Sequence, residues 1–197
     1  MKLYYSPGAC SLSPHIVAAE AGIALNLEKV DLKAHKTEAG VDYYTINPKG
    51  YVPALVLDDG EILTEGPAIV QYLADRNPGA GLIPIAGTGR YKVLEWLTFI
   101  NGEIHKSFGP LFAKAPEDQQ AAAKEKIQKR FAYAAIALGA KDYLTGQQFT
   151  LADAYLFVML RWAEKMHIPM PANLHHLFER IKARPKVAQV LKAEGLD

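Results

Sequence analysis

The single cysteine of the chain, Cys10, lies in a turn between an expected strand and an expected helix. Residues 3–5 predict the strand, and residues 14–21 predict the helix. Cys10 therefore stands just before a helix N-terminus, where amides without helical partners and the positive end of the helix dipole favour a thiolate. Either Ser11 or Ser13 could cap this helix.

Ser13 completes the pattern Cys-x-x-Ser, which lacks the second thiol of a dithiol exchanger. A site of this kind can form a mixed disulfide with a small thiol but cannot resolve it internally. The plainer alternative is a small buried thiol without chemistry. The position of Cys10 ahead of the helix favours the reactive interpretation.

A second candidate site follows Pro53. Residues 54–57 and 61–64 predict a hairpin joined by an Asp-Gly turn, and a proline fits the start of its first strand. Glu65 and Gly66 then open the next helix. Glu65 could simply cap that helix, or Glu65 and the Gly66 amide could receive the ammonium and the carboxylate of a ligand.

His105 lies on a helix predicted over residues 91–112. Its apolar stripe comprises Leu94, Leu97, Ile104, Phe108 and Leu111. Beside that stripe, small or polar residues flank His105 at Thr98, Asn101, Gly102 and Gly109. Small side chains leave open volume, which suits a cleft. A lone histidine is more often structural than catalytic. The helix by itself therefore does not decide between a structural role and an acid–base role for His105.

Cys10 and Glu65 both lie in the first part of the chain, where predicted strands and helices alternate. Residues 25–30 predict a second strand, which gives the order β-α-β and then β-β-α, with residues 33–50 the least defined. Helix breakers over residues 77–89 indicate a linker.

The second part is expected to be wholly helical. A capping box is predicted at Thr150 and Asp153. Helices are predicted over residues 91–112, 119–138, 151–166 and 174–183, followed by a terminal helix. The sequence thus divides into an α/β domain at residues 1–80, a linker at 81–86 and an all-α domain at 87–197.

Bulk composition excludes several classes of protein. The chain has 197 residues, a net charge of +1 and 22% charged residues, so no global field favours nucleic acid or an anionic membrane. No apolar run approaches the length of a membrane span or a signal peptide. One cysteine excludes an internal disulfide and fits the reducing cytosol. No metal site is expected, because His167, His175 and His176 lack cysteine or suitably spaced acidic partners.

Together these motifs resemble the glutathione transferase family over essentially the whole chain, and a cysteine at the key position resembles its bacterial beta class. The resemblance is carried by SPGACS at 6–11, NPKG at 47–50, VPAL at 52–55, LTEGPAIVQYLAD at 63–75, EWL at 95–97, EIHK at 103–106, FTLADAYLF at 149–157 and AEGL at 193–196. It implies a thioredoxin-like N-terminal domain, an all-helical C-terminal domain, a cytoplasmic homodimer and bound glutathione. It also implies a cis peptide bond at Val52-Pro53.

The resemblance assigns catalytic roles to Cys10 and His105, with His105 facing the cysteine. It places glutathione against Tyr5, Cys10, His35, Val52, Pro53, Glu65, Gly66, Thr98, Gly102, Glu103, Ile104, His105 and Lys106, and makes Trp162 a wall of the electrophile pocket. Three positions depart from the family pattern. His35 stands where a lysine is expected, with Lys33 and Lys36 nearby; Thr98 replaces an asparagine; and Gly102 removes a side-chain contact.

The expected function is transfer of glutathione to small hydrophobic electrophiles in detoxification, with accompanying thiol–disulfide or reductive redox chemistry at Cys10. The alternative is a protein that binds glutathione or apolar ligands with little turnover. Glutathione is the only co-substrate expected, without metal.

Overall fold

The computed structural model describes residues 1–196, which form two compact units. The first unit contains residues 1–83 and the segment from Arg184 onward, and the second contains residues 84–183. Among the described residues, no helix combines the length and the apolar character that a bilayer span requires.

A five-stranded mixed sheet forms the centre of the first unit, in the order β3-β2-β1-β4-β5. Its strands are β1 (Lys2–Tyr5), β2 (Asn26–Asp31), β3 (Lys36–Thr37), β4 (Ala54–Val56) and β5 (Ile62–Thr64). β1 is parallel to β2 and antiparallel to β4, and β4 and β5 form the predicted antiparallel hairpin. The sheet confirms the expected order of strands and helices, and its short β3 falls within the segment that the sequence left undefined.

The described residues of this unit form three α-helices, α1 (Leu12–Glu20), α2 (Gly66–Arg76) and α8 (Pro185–Ala193). α1 packs against both α2 and α8. The shared core includes Leu3, Ile16, Val17, Leu55 and Leu73, which are fully buried. α1 begins two residues earlier than predicted, so Cys10 lies directly before its first turn.

The position of α8 differs from the sequence boundary, which placed residues 184–197 with the all-α domain. α8 buries Val187, Val190 and Leu191. The Arg184 guanidinium binds the Glu20 carboxylate at 2.7 and 2.9 Å, which fastens the start of α8 to α1. A periodic apolar face predicts that a helix packs, but not which neighbour it packs against.

The second unit is helical. Its helices are α3 (Gly87–Phe99), α4 (Gly109–Phe112), α5 (Glu117–Leu138), α6 (Leu151–Lys165) and α7 (Ala172–Lys182). α6 is buried along nearly its whole length and packs against α3 and α7. Its central position accounts for a sequence that is apolar on almost every side.

The predicted capping box at the start of α6 is confirmed. The Asp153 carboxylate accepts hydrogen bonds from the Thr150 amide at 2.8 Å and from the Thr150 hydroxyl at 2.7 Å. It also accepts one from the Leu144 amide at 2.8 Å. The side chain is fully buried, and burial outweighs these donors and raises the pKa of Asp153 to about 6.

The helix predicted over residues 91–112 is not α-helical throughout. α3 starts earlier, at Gly87, and is followed by a π-helical turn at Ile100–Ile104 and a 3-10 turn at His105–Phe108 before α4. Pro110 has no amide hydrogen, which prevents a regular α-helical ladder at that position. His105 therefore lies at a break between helix types rather than inside a continuous α-helix.

Candidate active site

Cys10 lies next to the loop that precedes β4. Its Sγ is 3.3 Å from the Val52 carbonyl oxygen, to which the thiol donates, and the residue is partly buried. The turn before α1 is closed by hydrogen bonds from Ala9 to Ser6 and from Leu12 to Ala9, both 3.0 Å. The turn thus presents the thiol at the start of α1 and beside the Val52 backbone.

Ser11 and Ser13 were both candidate caps for α1, but neither side chain caps the helix. The Ser11 hydroxyl exchanges hydrogen bonds with the backbone of Ser6, accepting from its amide at 3.1 Å and donating to its carbonyl at 3.2 Å. The Ser13 hydroxyl is buried and has no hydrogen-bond partner within residues 1–196. Ser11 stabilises the turn that carries Cys10, because its hydroxyl is used there rather than on the helix.

The loop that faces Cys10 is held by buried polar groups. The Val52-Pro53 peptide bond is cis, as the resemblance implied. The Asn47 side-chain amide and the Tyr43 hydroxyl both donate to the Tyr51 carbonyl, at 2.7 and 3.3 Å. These contacts fix the backbone immediately before Val52.

Glu65 stands at the N-terminus of α2 with a φ of +71°, in the left-handed region. Its side chain makes no capping hydrogen bond, so the simple capping alternative was wrong. The carboxylate instead binds the Lys49 ammonium and accepts from the Tyr51 hydroxyl at 3.1 Å. An exposed carboxylate therefore lies beside the first amides of α2, where a group with an ammonium and a carboxylate could bind.

His35, which replaces the expected lysine, contacts the same loop. Its Nδ1 is 3.1 Å from the Gly50 carbonyl oxygen, and its ring stacks on Tyr44 with the centroids 4.5 Å apart. Its φ of +51° is left-handed. His35 is thus fixed by contacts within the protein rather than extended like a lysine side chain.

Tyr5 ends β1, and its ring lies 6.3 Å from the ring of His15 between centroids. Burial raises the pKa of Tyr5, and the Glu194 charge raises it further. The phenol therefore keeps its proton at neutral pH and can act as a hydrogen-bond donor.

In the second unit, His105 is oriented by a tyrosine and an asparagine. Its Nδ1 lies 2.9 Å from the Tyr155 hydroxyl oxygen, and that hydroxyl donates to Asn101 Oδ1 at 3.0 Å. Because the single hydroxyl proton goes to Asn101, Tyr155 accepts from the Nδ1–H of His105. In the neutral ring, Nε2 then carries the lone pair, which is the arrangement of a base or a hydrogen-bond acceptor.

The π-helical turn supplies Asn101 and places His105 directly after it. Such turns are frequent at functional sites because they displace side chains from regular α-helical positions. Apart from the adjacent residues and the nearby backbone of its own helix, a Cβ built on Gly102 or on Gly109 would have no described atom within 4 Å. Open space therefore flanks His105, as the small residues predicted.

The remaining predicted site residues of the second unit differ in how exposed their side chains are. Thr98 and Lys106 are exposed, whereas the Ile104 side chain is fully buried, so only its backbone is available to a ligand. The Glu103 carboxylate binds Arg130, whose Nε lies at 3.0 Å. Glu103 is thus bound to a basic neighbour within its own unit.

Trp162 is 7% exposed and packs edge-on against three rings. Its ring centroid lies 5.1 Å from that of His105, 5.3 Å from that of Phe108 and 4.8 Å from that of Phe112. Trp162 therefore supports the His105 ring from one side.

Three side chains of ligand type lie close together at the end of α6 and on α7. His175 lies on α7 one turn from Glu179, and Glu164 at the end of α6 is close by, with their ligand atoms all within 4.8 Å. All three side chains are exposed, and exposed groups of this kind are common without a metal.

Known proteins match both parts of the chain. The family described as "Glutathione S-transferase, N-terminal domain" matches residues 8–76, and "Glutathione S-transferase, C-terminal domain" matches residues 102–194. Glutathione S-transferase GstA of Escherichia coli O157:H7 is 46% identical over the full length of both chains. The chain belongs to the glutathione S-transferase family.

Two solved bacterial structures support the assignment of this glutathione S-transferase to the beta class. The enzyme of a sphingomonad, solved in complex with glutathione, is 45% identical with a TM-score of 0.93 and full coverage of both chains. A bacterial beta-class glutathione S-transferase of Sphingomonas chungbukensis has the same identity, TM-score and coverage. The resemblance to the beta class and the expected thioredoxin-like plus all-helical fold are thereby confirmed.

Sequence reasoning assigned no role to three residues that contact the predicted site residues of this glutathione S-transferase or the turn around Cys10: Tyr155, His15 and Glu194. Tyr155 was hidden in the apolar run of α6, although a hydroxyl inside a buried helix needs a partner and could have been sought. Glu194 lies 179 positions from His15, with which it pairs. No periodicity relates residues that far apart.

Proposed function

We propose that this protein binds glutathione, promotes ionisation of its thiol and transfers it to small hydrophobic electrophiles, with thiol–disulfide exchange at Cys10 as an accompanying reaction. One observation carries the proposal: Cys10 Sγ lies 3.3 Å from the Val52 carbonyl oxygen, at the start of α1. A reactive thiol and a backbone edge suited to a cysteinyl peptide are thus adjacent. Family membership supports glutathione as the co-substrate.

The first unit supplies the groups for binding. In this proposal the cysteinyl part of glutathione pairs with the backbone of Val52. The γ-glutamyl ammonium binds Glu65, and the γ-glutamyl carboxylate accepts from the Gly66 amide at the N-terminus of α2. Tyr5 would supply a further donor from the end of β1, and His35 would offer its Nε2 while Nδ1 contacts the Gly50 carbonyl.

In conjugation, the glutathione thiolate attacks the electrophilic carbon, the new S–C bond forms and the leaving group departs with its electron pair. The thiol proton passes to a base. We assign that step to His105, whose Nε2 carries the lone pair when Tyr155 accepts from Nδ1. The helix positions between Thr98 and Lys106, together with Trp162, would contact the substrates.

In exchange, the Cys10 thiolate attacks a disulfide between glutathione and another small thiol, which gives a Cys10–glutathione disulfide and releases the other thiol as its thiolate. Because Ser13 replaces a resolving thiol, a second glutathione must reduce the adduct and leave as oxidised glutathione. A reducing cytoplasm supplies the thiol for this step and suits a protein with one reactive cysteine.

We further propose that the protein is a homodimer that associates through one aromatic face of the second unit. Trp96, Phe99 and Tyr133 contact one another there and border a groove of about 320 Å³. Nearby, Tyr91 and Ile136 are 70% and 81% exposed. An exposed apolar area of this kind is typical of an interface.

The test is intact-protein mass after incubation with oxidised glutathione, on the wild type and on Cys10→Ala, with a glutathione-affinity column run in parallel. We expect one glutathione adduct per wild-type chain, no adduct on Cys10→Ala, and retention of both proteins on the column. Conjugation to a chlorinated nitrobenzene, followed by absorbance, then measures transfer.

Each result has a defined meaning. Retention without an adduct would remove exchange at Cys10 from the proposal and leave conjugation by bound glutathione. Binding without measurable transfer would favour a protein that only sequesters glutathione or apolar ligands. A wild type that is not retained on the column and forms no adduct would contradict glutathione as the co-substrate.

A further inference from the structure

A buried carboxylate contacts the chain on both sides of Cys10. Glu194 follows α8, and its side chain is fully buried. Its Oε2 accepts a hydrogen bond from the Gly8 amide at 2.9 Å, and its Oε1 lies 2.8 Å from His15 Nδ1. Gly8 precedes Cys10 by two residues, and His15 follows it by five. One side chain therefore bridges the turn that presents the thiol and the helix that begins beside it.

The Gly8 backbone has a conformation that this contact fits. Its φ is +69°, in the left-handed region, and a Cβ at this position would lie 3.4 Å from the Leu196 side chain. Glu194 and Leu196 thus approach the same glycine from the C-terminal segment. The positive φ favours glycine at this position.

Anchoring of α8 does not account for Glu194. Val187, Val190 and Leu191 already bury the apolar face of α8, and the Arg184–Glu20 pair already joins α8 to α1. A fully buried carboxylate is costly unless its partners compensate for lost hydration. Its two partners lie on the turn and on the helix that flank Cys10.

We propose that Glu194 is a positioning residue for Cys10: by holding the Gly8 amide and the His15 ring, it fixes the turn from which the thiol is presented. The relevance of this role to catalysis rests on the function proposed above. The role itself does not require glutathione, so it can be measured separately.

The test compares Glu194→Ala with Glu194→Gln. Both variants lack the negative charge, but glutamine keeps an oxygen that can accept from Gly8 and an amide that can reach His15. Arg184→Ala is the matched control, because it breaks the other polar anchor of α8 and leaves the Gly8 contact intact. Each protein is assayed at the same interval below its own thermal midpoint, so that differences in global stability are removed.

The readouts are the rate of alkylation of Cys10 by iodoacetamide between pH 6 and 9 and the exchange rate of the Gly8 amide by NMR. Since Cys10 is the only cysteine, the mass increase reports this thiol alone. We expect Glu194→Ala to react about tenfold more slowly at pH 7 than Glu194→Gln, and its Gly8 amide to exchange at least about tenfold faster.

Glu194→Gln and Arg184→Ala should stay within about threefold of the wild type in both measurements. Wild-type alkylation and exchange in Glu194→Ala would overturn the proposal. An equal loss in Arg184→Ala would also overturn it, because loosening of α8 would then explain the effect. Neither assay contains glutathione, so these outcomes are independent of whether the protein is a transferase.

Discussion

The hydroxyl oxygen of Tyr155 lies 2.9 Å from Nδ1 of His105, and the hydroxyl donates its hydrogen bond to Asn101 Oδ1. This pairing joins α6 to the break between the π-helical and 3-10 turns within the second unit. It determines which ring nitrogen of His105 holds the proton. The tautomer of His105 is therefore set by a residue 50 positions away.

Replacement of that hydroxyl tests the role of His105. We expect Tyr155→Phe to lower kcat/KM for conjugation by about tenfold and to change its pH profile, because both ring tautomers become accessible. Steady-state kinetics from pH 5.5 to 8.5 measure the effect. Tyr143→Phe, at another buried tyrosine of the same unit, is the control and should keep the wild-type profile. An unchanged profile in Tyr155→Phe would remove tautomer control from the mechanism.

Glu65 should contribute to affinity for glutathione rather than to folding. Glu65→Gln removes the negative charge that would bind the γ-glutamyl ammonium, so we expect the Kd for glutathione to rise about tenfold or more. Isothermal titration calorimetry measures the Kd. Glu61→Gln, at an exposed residue just before β5, should leave it unchanged. Equal affinities in the two variants would contradict the assignment of Glu65.

Two buried serines should respond oppositely to replacement by alanine. Ser13 has a buried hydroxyl with no partner in the described chain, whereas Ser107 donates to the Glu103 carbonyl at 2.7 Å. We expect Ser13→Ala to stabilise the protein by about 1 kcal/mol and Ser107→Ala to destabilise it by about as much. Urea denaturation provides both values. A clear loss of stability in Ser13→Ala would mean that its hydroxyl has a partner in solution.

The pH dependence of stability should contain a contribution from Asp153, whose pKa is raised from 3.8 to about 6 by burial. Between these values the folded protein keeps a proton that the unfolded chain loses, so this contribution falls as pH rises. It is complete below pH 4 and lost above about pH 6. From the shift we expect the wild type to lose about 3 kcal/mol relative to Asp153→Asn across this interval.

Urea midpoints at pH 4, 5, 6 and 7 measure this difference between the wild type and Asp153→Asn. Asp118→Asn, at an exposed position on α5, is the control and should track the wild type. A constant difference between wild type and Asp153→Asn at all four pH values would show that the Asp153 pKa is not raised in the folded state.

The proposed dimer face is tested at Tyr133. Introducing a charge among Trp96, Phe99 and Tyr133 should disrupt association, so we expect Tyr133→Glu to sediment as a monomer at concentrations where the wild type is a dimer. Ile85→Glu is the control, since Ile85 is 77% exposed and lies outside the groove lining. A dimer that persists in Tyr133→Glu would place the interface elsewhere.

Local patterns predicted most of the secondary structure. The Asp-Gly turn predicted the β4–β5 hairpin, and Thr150 with Asp153 predicted the start of α6, because the controlling residues lie within a few positions of each other. The helix over residues 91–112 was predicted less well. Its apolar period was read correctly, but a π-helical turn shifts the ladder by one residue and leaves that period almost unchanged.

Local sequence patterns likewise identified some residues of the candidate site but not the contacts that their side chains make. Cys10 was found because a cysteine just before a helix is visible in a few residues, and Glu65 because it opens α2. Neither Ser11 nor Ser13 caps α1, and the capping alternative for Glu65 was wrong. Ser11 and Glu65 had several possible partners, and tertiary packing selected others.

The sequence by itself determined the two kinds of structure in the chain, the cysteine at a helix start and the family to which the motifs belong. These properties depend on residues close together in the chain, where spacing limits the geometry. Only the tertiary structure decided that α8 belongs with the first unit, that Tyr155 orients His105 and that Glu194 reaches Gly8 and His15. Those contacts join residues 50 to 186 positions apart. Their partners are selected by the packing of whole helices, which no local pattern encodes.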